Sequence, residues 1–353
     1  MSDVSHDMPP ELAADLGAAL RAFAIYSPFE FSFSGEPAID VRTIPAFPGR
    51  AGPMSAGSAE RSDVQRLSEA IQATLYDRCY ARRSRAAVWP APVAADLDLV
   101  RRLTAANAGE ERWDGGWVIY QLAPNGQVFV RKGERERAAL PGAFISESAI
   151  GMAPQIGTSV RLRVPRETLD AQPTYYFAFG ETLDELADQL SLVRLYFHCD
   201  AAGAVTLLGG LSRLLNEFQV PFQLKMPTSP ALYDRADAAV LYVGARYFTV
   251  TSRIVAQIRE TVSHSPGVPM FTKRLWPGIG AAVDPGTGES FGTHRCRLTA
   301  QGIVDAWQAG AQDVPARRAA TAARFSALGL DLARPYLGRG VDFLGVPPTP
   351  RLP

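Results

Sequence analysis

Apolar residues recur at helical spacing in PPELAADLGAALRAFA (9–24), where a proline precedes leucines and alanines and suits a first turn. The same period predicts helices over 64–79 and about 94–108. WVIYQLAPNGQVFVRK (117–132) switches to two alternating apolar runs around Asn125-Gly126, the turn pair that favours a hairpin. Beyond Ala143, strand-like runs stand at 159–164, 175–180, 192–199, 220–226, 238–243 and 246–251. Helices are predicted among them at roughly 182–190 and 203–218. The latter places Val205, Leu207, Leu208, Leu211, Leu214, Leu215 and Phe218 on one broad face. A glycine-rich, weakly periodic segment (273–297) then leads to helices near 299–309 and 314–328.

These patterns predict an α+β fold. Residues 1–110 read as a helical N-terminal region for peptide or partner recognition, interrupted by a mobile loop at 46–62 with little apolar content. Residues 111–345 read as an α+β domain with a mixed sheet and flanking helices, and 346–353 as a frayed tail.

Composition narrows the function classes. The 353 residues, 47% hydrophobic, suffice for one large core or two modest ones. Basic and acidic residues balance at 36 each, so no global field draws the chain to nucleic acid or membrane. An anion site must then be a local cluster. Cys79, Cys199 and Cys296 are odd in number and dispersed, which excludes a disulfide framework and suits a reducing compartment. Met1 to Glu11 lacks the basic and apolar regions of a signal peptide, and no apolar run approaches spanning length. The expectation is a soluble, cytoplasmic protein. No phosphate-cradling glycine loop, dinucleotide fingerprint or HExxH motif is present. With four histidines and scattered cysteines, neither a metal nor another cofactor is expected, although Cys199 adjoins His198.

Lysine draws attention by its scarcity: the 36 basic residues include only Lys132, Lys225 and Lys273. A GC-rich genome explains the bias toward arginine, but arginine cannot become a base, whereas a partly buried lysine can. His198 ends the strand-like run RLYFHC, and Lys225 ends VPFQLK. The strand–helix–strand unit joining them can bring both strand ends to one sheet edge. Arg235 precedes a third strand, and KRLWPGIG, GESFG and THRCR contribute Lys273, Arg274, His294, Arg295 and Arg297. Cations on loops at one sheet edge fit a dianion pocket, since guanidinium forks match phosphate oxygens. A structural histidine, a solvated strand end and a salt-bridge network with Asp284 and Glu289 fit the same residues. The residues alone do not name a reaction.

The linked motifs PFxxK, YxRxDAAVLY, FTKRLxPGxG and SFGxHRCR, within about 160–310, resemble the HopA-type effector-like family. Relatives of that kind accompany peptide kinases in class V lanthipeptide and thioamitide biosynthesis. More distantly, the family is similar to OspF-type phosphothreonine lyases. The resemblance implies a phosphothreonine-lyase-like fold. It implies cofactor-free β-elimination from a kinase-phosphorylated precursor peptide, giving dehydroalanine or dehydrobutyrine, with the cognate kinase as a partner. It makes Lys225 the base and His198 the acid for the departing phosphate. Arg235, Lys273, Arg274, Arg295 and His294 become phosphate ligands, with Tyr233 and Tyr196 beside the substrate. Tyr196 stands where OspF-type enzymes carry a lysine, and the first 150 residues carry none of the motifs. A non-catalytic phosphopeptide- or protein-binding module, or a kinase scaffold, is the competing expectation.

Overall fold

The computed structural model describes residues 8–43, 62–84, 93–133, 135–147, 153–262 and 265–338. The expected mobile loop at 46–62, apart from Ser62, and the tail 346–353 lie outside these residues. The chain divides into two compact units, each drawn from separate stretches of sequence.

One unit takes its described residues from 1–90, 234–237 and 266–342. Its first helix, Pro10–Ala22, leads directly into the antiparallel strands Phe23–Ser27, Glu30–Phe33 and Ile39–Asp40. The N-terminal region is therefore not purely helical. Phe23, Phe31 and Phe33 are buried, and their alternation with polar neighbours is what makes these runs strands. Ser62 and Gln65 form a reciprocal cap on helix Asp63–Thr74, which continues as a π-helical turn, Leu75–Tyr80. The hairpin Lys273–Trp276 and Ile279–Val283 turns at Gly278, whose φ of 71° favours glycine. Helices Phe291–Gln308 and Val314–Ala327 pack so closely that a Cβ at Gly302 would lie 2.5 Å from the Thr321 Cα.

The other unit takes its described residues from 91–233 and 238–265. An antiparallel five-stranded sheet runs in the order Arg135–Ala139, Val128–Lys132, Arg112–Leu122, Ser159–Val164, Phe144–Ser146. It buries Trp117, Ile119, Val128, Val130, Val160 and Leu162 on one face. Its central hairpin turns at Gly126 (φ 81°), as Asn125-Gly126 predicts.

The same unit contributes a second run of paired strands: Leu192–Phe197, Ala239–Gly244, Phe222–Pro227, Tyr175–Phe179 and Glu167–Thr168. Each of these neighbouring pairs is antiparallel. Strands Leu192–Phe197 and Phe222–Pro227 are nevertheless parallel to one another, because Ala239–Gly244 lies between them and opposes both. Helix Ala201–Glu217 joins the two, as expected, with Asp200 accepting from the Gly203 N–H at 2.6 Å as its cap. Phe218, however, is exposed at its end. The expected helix at 182–190 shortens to Leu186–Leu190.

The predicted strand at 246–251 is instead the start of helix Phe248–Ile258. Phe248, Thr251, Ile254, Val255 and Ile258 are buried, a helical spacing that prevails over the strand preference of Tyr247, Phe248, Thr249, Val250 and Thr251. Among the described residues no helix is long and apolar enough to cross a membrane.

Candidate functional site

Alternation divides this second sheet run into two unlike faces. Val193, Leu195, Phe222, Leu224, Leu241, Val243, Tyr176 and Ala178 are buried on one, where helices Ala201–Glu217 and Phe248–Ile258 pack. The other face carries half-buried Arg194, Tyr242, Gln223, Lys225, Tyr175 and Phe179. Register places Tyr196, Val240, Lys225, Phe177 and Thr168 in one row across it. Lys225 thus shares a face with Tyr196. His198 follows two residues later, just past the end of strand Leu192–Phe197. Because the strands bearing Tyr196 and Lys225 are parallel, their C-terminal ends meet at one sheet edge, as the strand–helix–strand reading requires.

The Lys225 Nζ donates to Gln172 Oε1 at 2.6 Å and lies 3.9 Å from the Tyr175 ring centroid. His198 is half-buried, and its carbonyl accepts from the Ser265 N–H at 2.9 Å. Tyr196 is buried. Tyr233 is also buried and donates to the Pro227 carbonyl at 2.9 Å, pinning the chain after the lysine strand. Burial, with Cys199 and Asp200 nearby, pushes its phenol up, so it acts as a neutral donor.

The expected phosphate ligands Arg235, Lys273, Arg274, His294 and Arg295 belong to the other unit. Arg235 is buried and holds Asp237 through two bonds, Nε–Oδ1 at 2.6 Å and Nη2–Oδ2 at 2.7 Å. The Tyr76 hydroxyl closes the triangle, donating to Asp237 Oδ2 at 3.0 Å and accepting from Arg235 Nη2 at 2.9 Å. Burial pushes the Asp237 carboxyl up, but the Arg235 charge and these hydrogen bonds hold it below its ordinary value. One edge of the Arg235 guanidinium is therefore engaged by a permanent anion.

Arg295 corrects the sequence reading further. It is 1% exposed and lies within helix Phe291–Gln308, not on a loop. Nε donates to the Pro335 carbonyl at 2.7 Å, Nη2 to the Leu337 carbonyl at 2.9 Å, and Nη1 meets His294 Nδ1 at 2.8 Å. These contacts tie residues 335–337 to the helix and leave no guanidinium nitrogen uncommitted. Burial and the charges of Arg295 and Arg297 push the His294 imidazole down to about 4, so it is a neutral acceptor and not a cation for phosphate. Lys273 is half-buried, 5.7 Å from the Tyr336 ring centroid, and Arg274 pairs with exposed Glu11 at 3.2 Å. Arg297 pairs with Glu289 at 2.8 Å, the salt bridge foreseen as the bland reading of that segment.

Sequence reasoning missed Gln172 and Tyr175, which lie about 50 residues from the lysine they touch, outside every quoted motif. It also missed the Tyr76–Arg235–Asp237 triangle, although Asp237 sits inside YxRxDAAVLY.

Residues 167–337 match the model of the HopA1 effector protein family, a span that includes every expected site residue. No curated protein matches the chain. Solved structures similar to it include two effector proteins. One is an effector protein from Pseudomonas syringae pv. tomato strain DC3000: 13% identity, TM-score 0.43, 77% of this chain and 94% of that one covered. The other is an effector protein from Pseudomonas syringae pv. syringae strain 61: 14% identity, TM-score 0.40, 77% and 97% covered.

Proposed function

We propose that the chain is a phosphoserine/phosphothreonine lyase with Lys225 as general base and His198 as general acid. The observation that carries this reading is the placement of Lys225. It stands half-buried on the sheet face opposite helices Ala201–Glu217 and Phe248–Ile258, its amine engaged by Gln172 and Tyr175, at the edge where the strand leading to His198 ends. The motif resemblance within 160–310 supports the same assignment.

The chemistry is a balanced elimination. The Lys225 amine takes the α-proton of the phosphorylated residue. The electron pair forms the Cα–Cβ double bond, and the Cβ–O bond breaks toward phosphate, which receives a proton from His198. The peptide retains dehydroalanine or dehydrobutyrine. A lysine needs its neutral form for this step and a histidine its charged form, an ordering that pH dependence would reveal. A kinase-phosphorylated precursor peptide is the proposed substrate and its kinase the proposed partner, in a reducing cytoplasm.

A second reading, a non-catalytic protein- or peptide-binding module, draws support from the internal engagement of Arg235 and Arg295, which leaves those guanidinium groups less to offer a phosphate. A phosphopeptide deuterated at Cα separates the two. Base-driven elimination should slow several-fold, at roughly the size of a primary isotope effect on a limiting proton transfer. Turnover insensitive to deuterium would remove Lys225 from the rate-limiting proton transfer, and tight binding without turnover would establish the module.

A further inference from the structure

We propose that Gln172 and Tyr175 are positioning residues that fix the amine of Lys225; the catalytic meaning of that hold rests on the lyase reading above. A lysine head on a four-carbon stem is costly to immobilise, because its rotamer freedom is lost. Here two groups from one short stretch restrain it. Tyr175 begins the neighbouring strand, opposite Pro227, and its ring lies 3.9 Å from Nζ. Phe177, directly opposite Lys225, adds a second ring at 5.8 Å. Gln172 lies in the exposed connection 169–174, and its amide oxygen accepts from Nζ at 2.6 Å.

The connection is shaped for this reach. Thr174 has a φ of 67°, the Tyr175 N–H returns to the Gln172 carbonyl at 3.3 Å, and the Thr228 N–H anchors the Thr174 carbonyl at 2.9 Å. The choice of glutamine is chemically apt. Its oxygen fixes one N–H of the amine without supplying a charge. A carboxylate there would form an ion pair and keep the lysine protonated. The ring bounds another side of the amine through a cation–π contact. The titratable and charged groups on the same sheet face are the Tyr175, Tyr196 and Tyr242 phenols and Arg194, with Asp170 in the connection that carries Gln172.

Because Lys132, Lys225 and Lys273 are the only lysines, amine reactivity can be followed residue by residue in the full chain. The experiment is labelling with a small amine-selective electrophile across pH, read by peptide mass spectrometry, for wild type, Gln172→Leu, Gln172→Glu and Tyr175→Leu. The Lys225 midpoint should move down in Gln172→Leu and Tyr175→Leu and up in Gln172→Glu, with Lys132 and Lys273 unchanged. With phosphopeptide, Gln172→Leu should lower kcat by about tenfold with KM within about twofold, the pattern of lost orientation. A Lys225 midpoint unmoved in all three variants overturns the proposal. So does a loss confined to KM. If the midpoints shift as stated while wild type forms no dehydroamino acid, the hold on Lys225 stands and the lyase reading falls.

Discussion

At position 295 a guanidinium that the sequence presents as a phosphate ligand has each of its three nitrogens occupied inside the protein. Composition cannot distinguish such an arginine from a binding one, because the difference lies in backbone carbonyls 40 and 42 residues away. Arg295→Ala should destabilise folding by about 3 kcal/mol or more, since two carbonyls and an imidazole lose a buried donor. Urea denaturation measures this; unchanged stability with weakened phosphopeptide binding would restore the ligand role. His294 makes a linked prediction. Its folded pKa is about 4, below the ordinary 6.5, so the folded state binds fewer protons between those values. Its contribution is fully present above pH 6.5 and is lost as pH falls toward 4, at most about 3 kcal/mol. His294→Asn keeps an acceptor for Arg295 but should flatten that segment of the stability–pH curve. The strand bearing Lys225, by contrast, was legible in VPFQLK, although it runs on to Pro227. Lys225→Arg should lower kcat by about a thousandfold or more while phosphopeptide still binds, because a guanidinium cannot give up its proton.

Among the elements, those with a single dominant period were legible: strand Ser159–Val164, the Asn125-Gly126 hairpin and helix Ala201–Glu217. Errors arose where two signals compete. YFTVT is rich in β-branched and aromatic residues, yet its buried positions continue helically through Ile254, Val255 and Ile258. The start of helix Phe291–Gln308 was hidden by the glycines around it, although Ser290 caps it by accepting from the Thr293 N–H at 3.2 Å. That shift carries His294 and Arg295 from loop into helix and changes what they can touch. Asp200 tests the element bearing the proposed acid: it follows His198 closely and caps the crossover helix. Asp200→Ala should cost about 1 kcal/mol by chemical denaturation, and Asp200→Ser should recover most of it. A full-sized loss of turnover in both variants at unchanged stability would instead place Asp200 in the chemistry.

At the scale of the whole chain, the organisation was the least legible, because each compact unit gathers stretches far apart in sequence. Local pattern carries no record of which helix returns to which core. Arg317 illustrates the consequence: it is buried, donating to the Leu20 and Phe23 carbonyls at 2.6 and 2.7 Å. A fragment beginning at Gly115 strips those acceptors away and leaves a buried cation, so it should lose cooperative unfolding. A fragment that melts cooperatively with full activity would show residues 1–114 to be dispensable. For the intact protein, the decisive measurement is the mass of the product formed from a phosphoserine peptide. The account predicts a peptide lighter than its substrate by one phosphoric acid, hence one water lighter than the hydrolysed peptide, and able to add a thiol. Lys225→Ala should leave the substrate unchanged. A product carrying a free hydroxyl, or an unaltered peptide after prolonged incubation with folded wild-type protein, would contradict it.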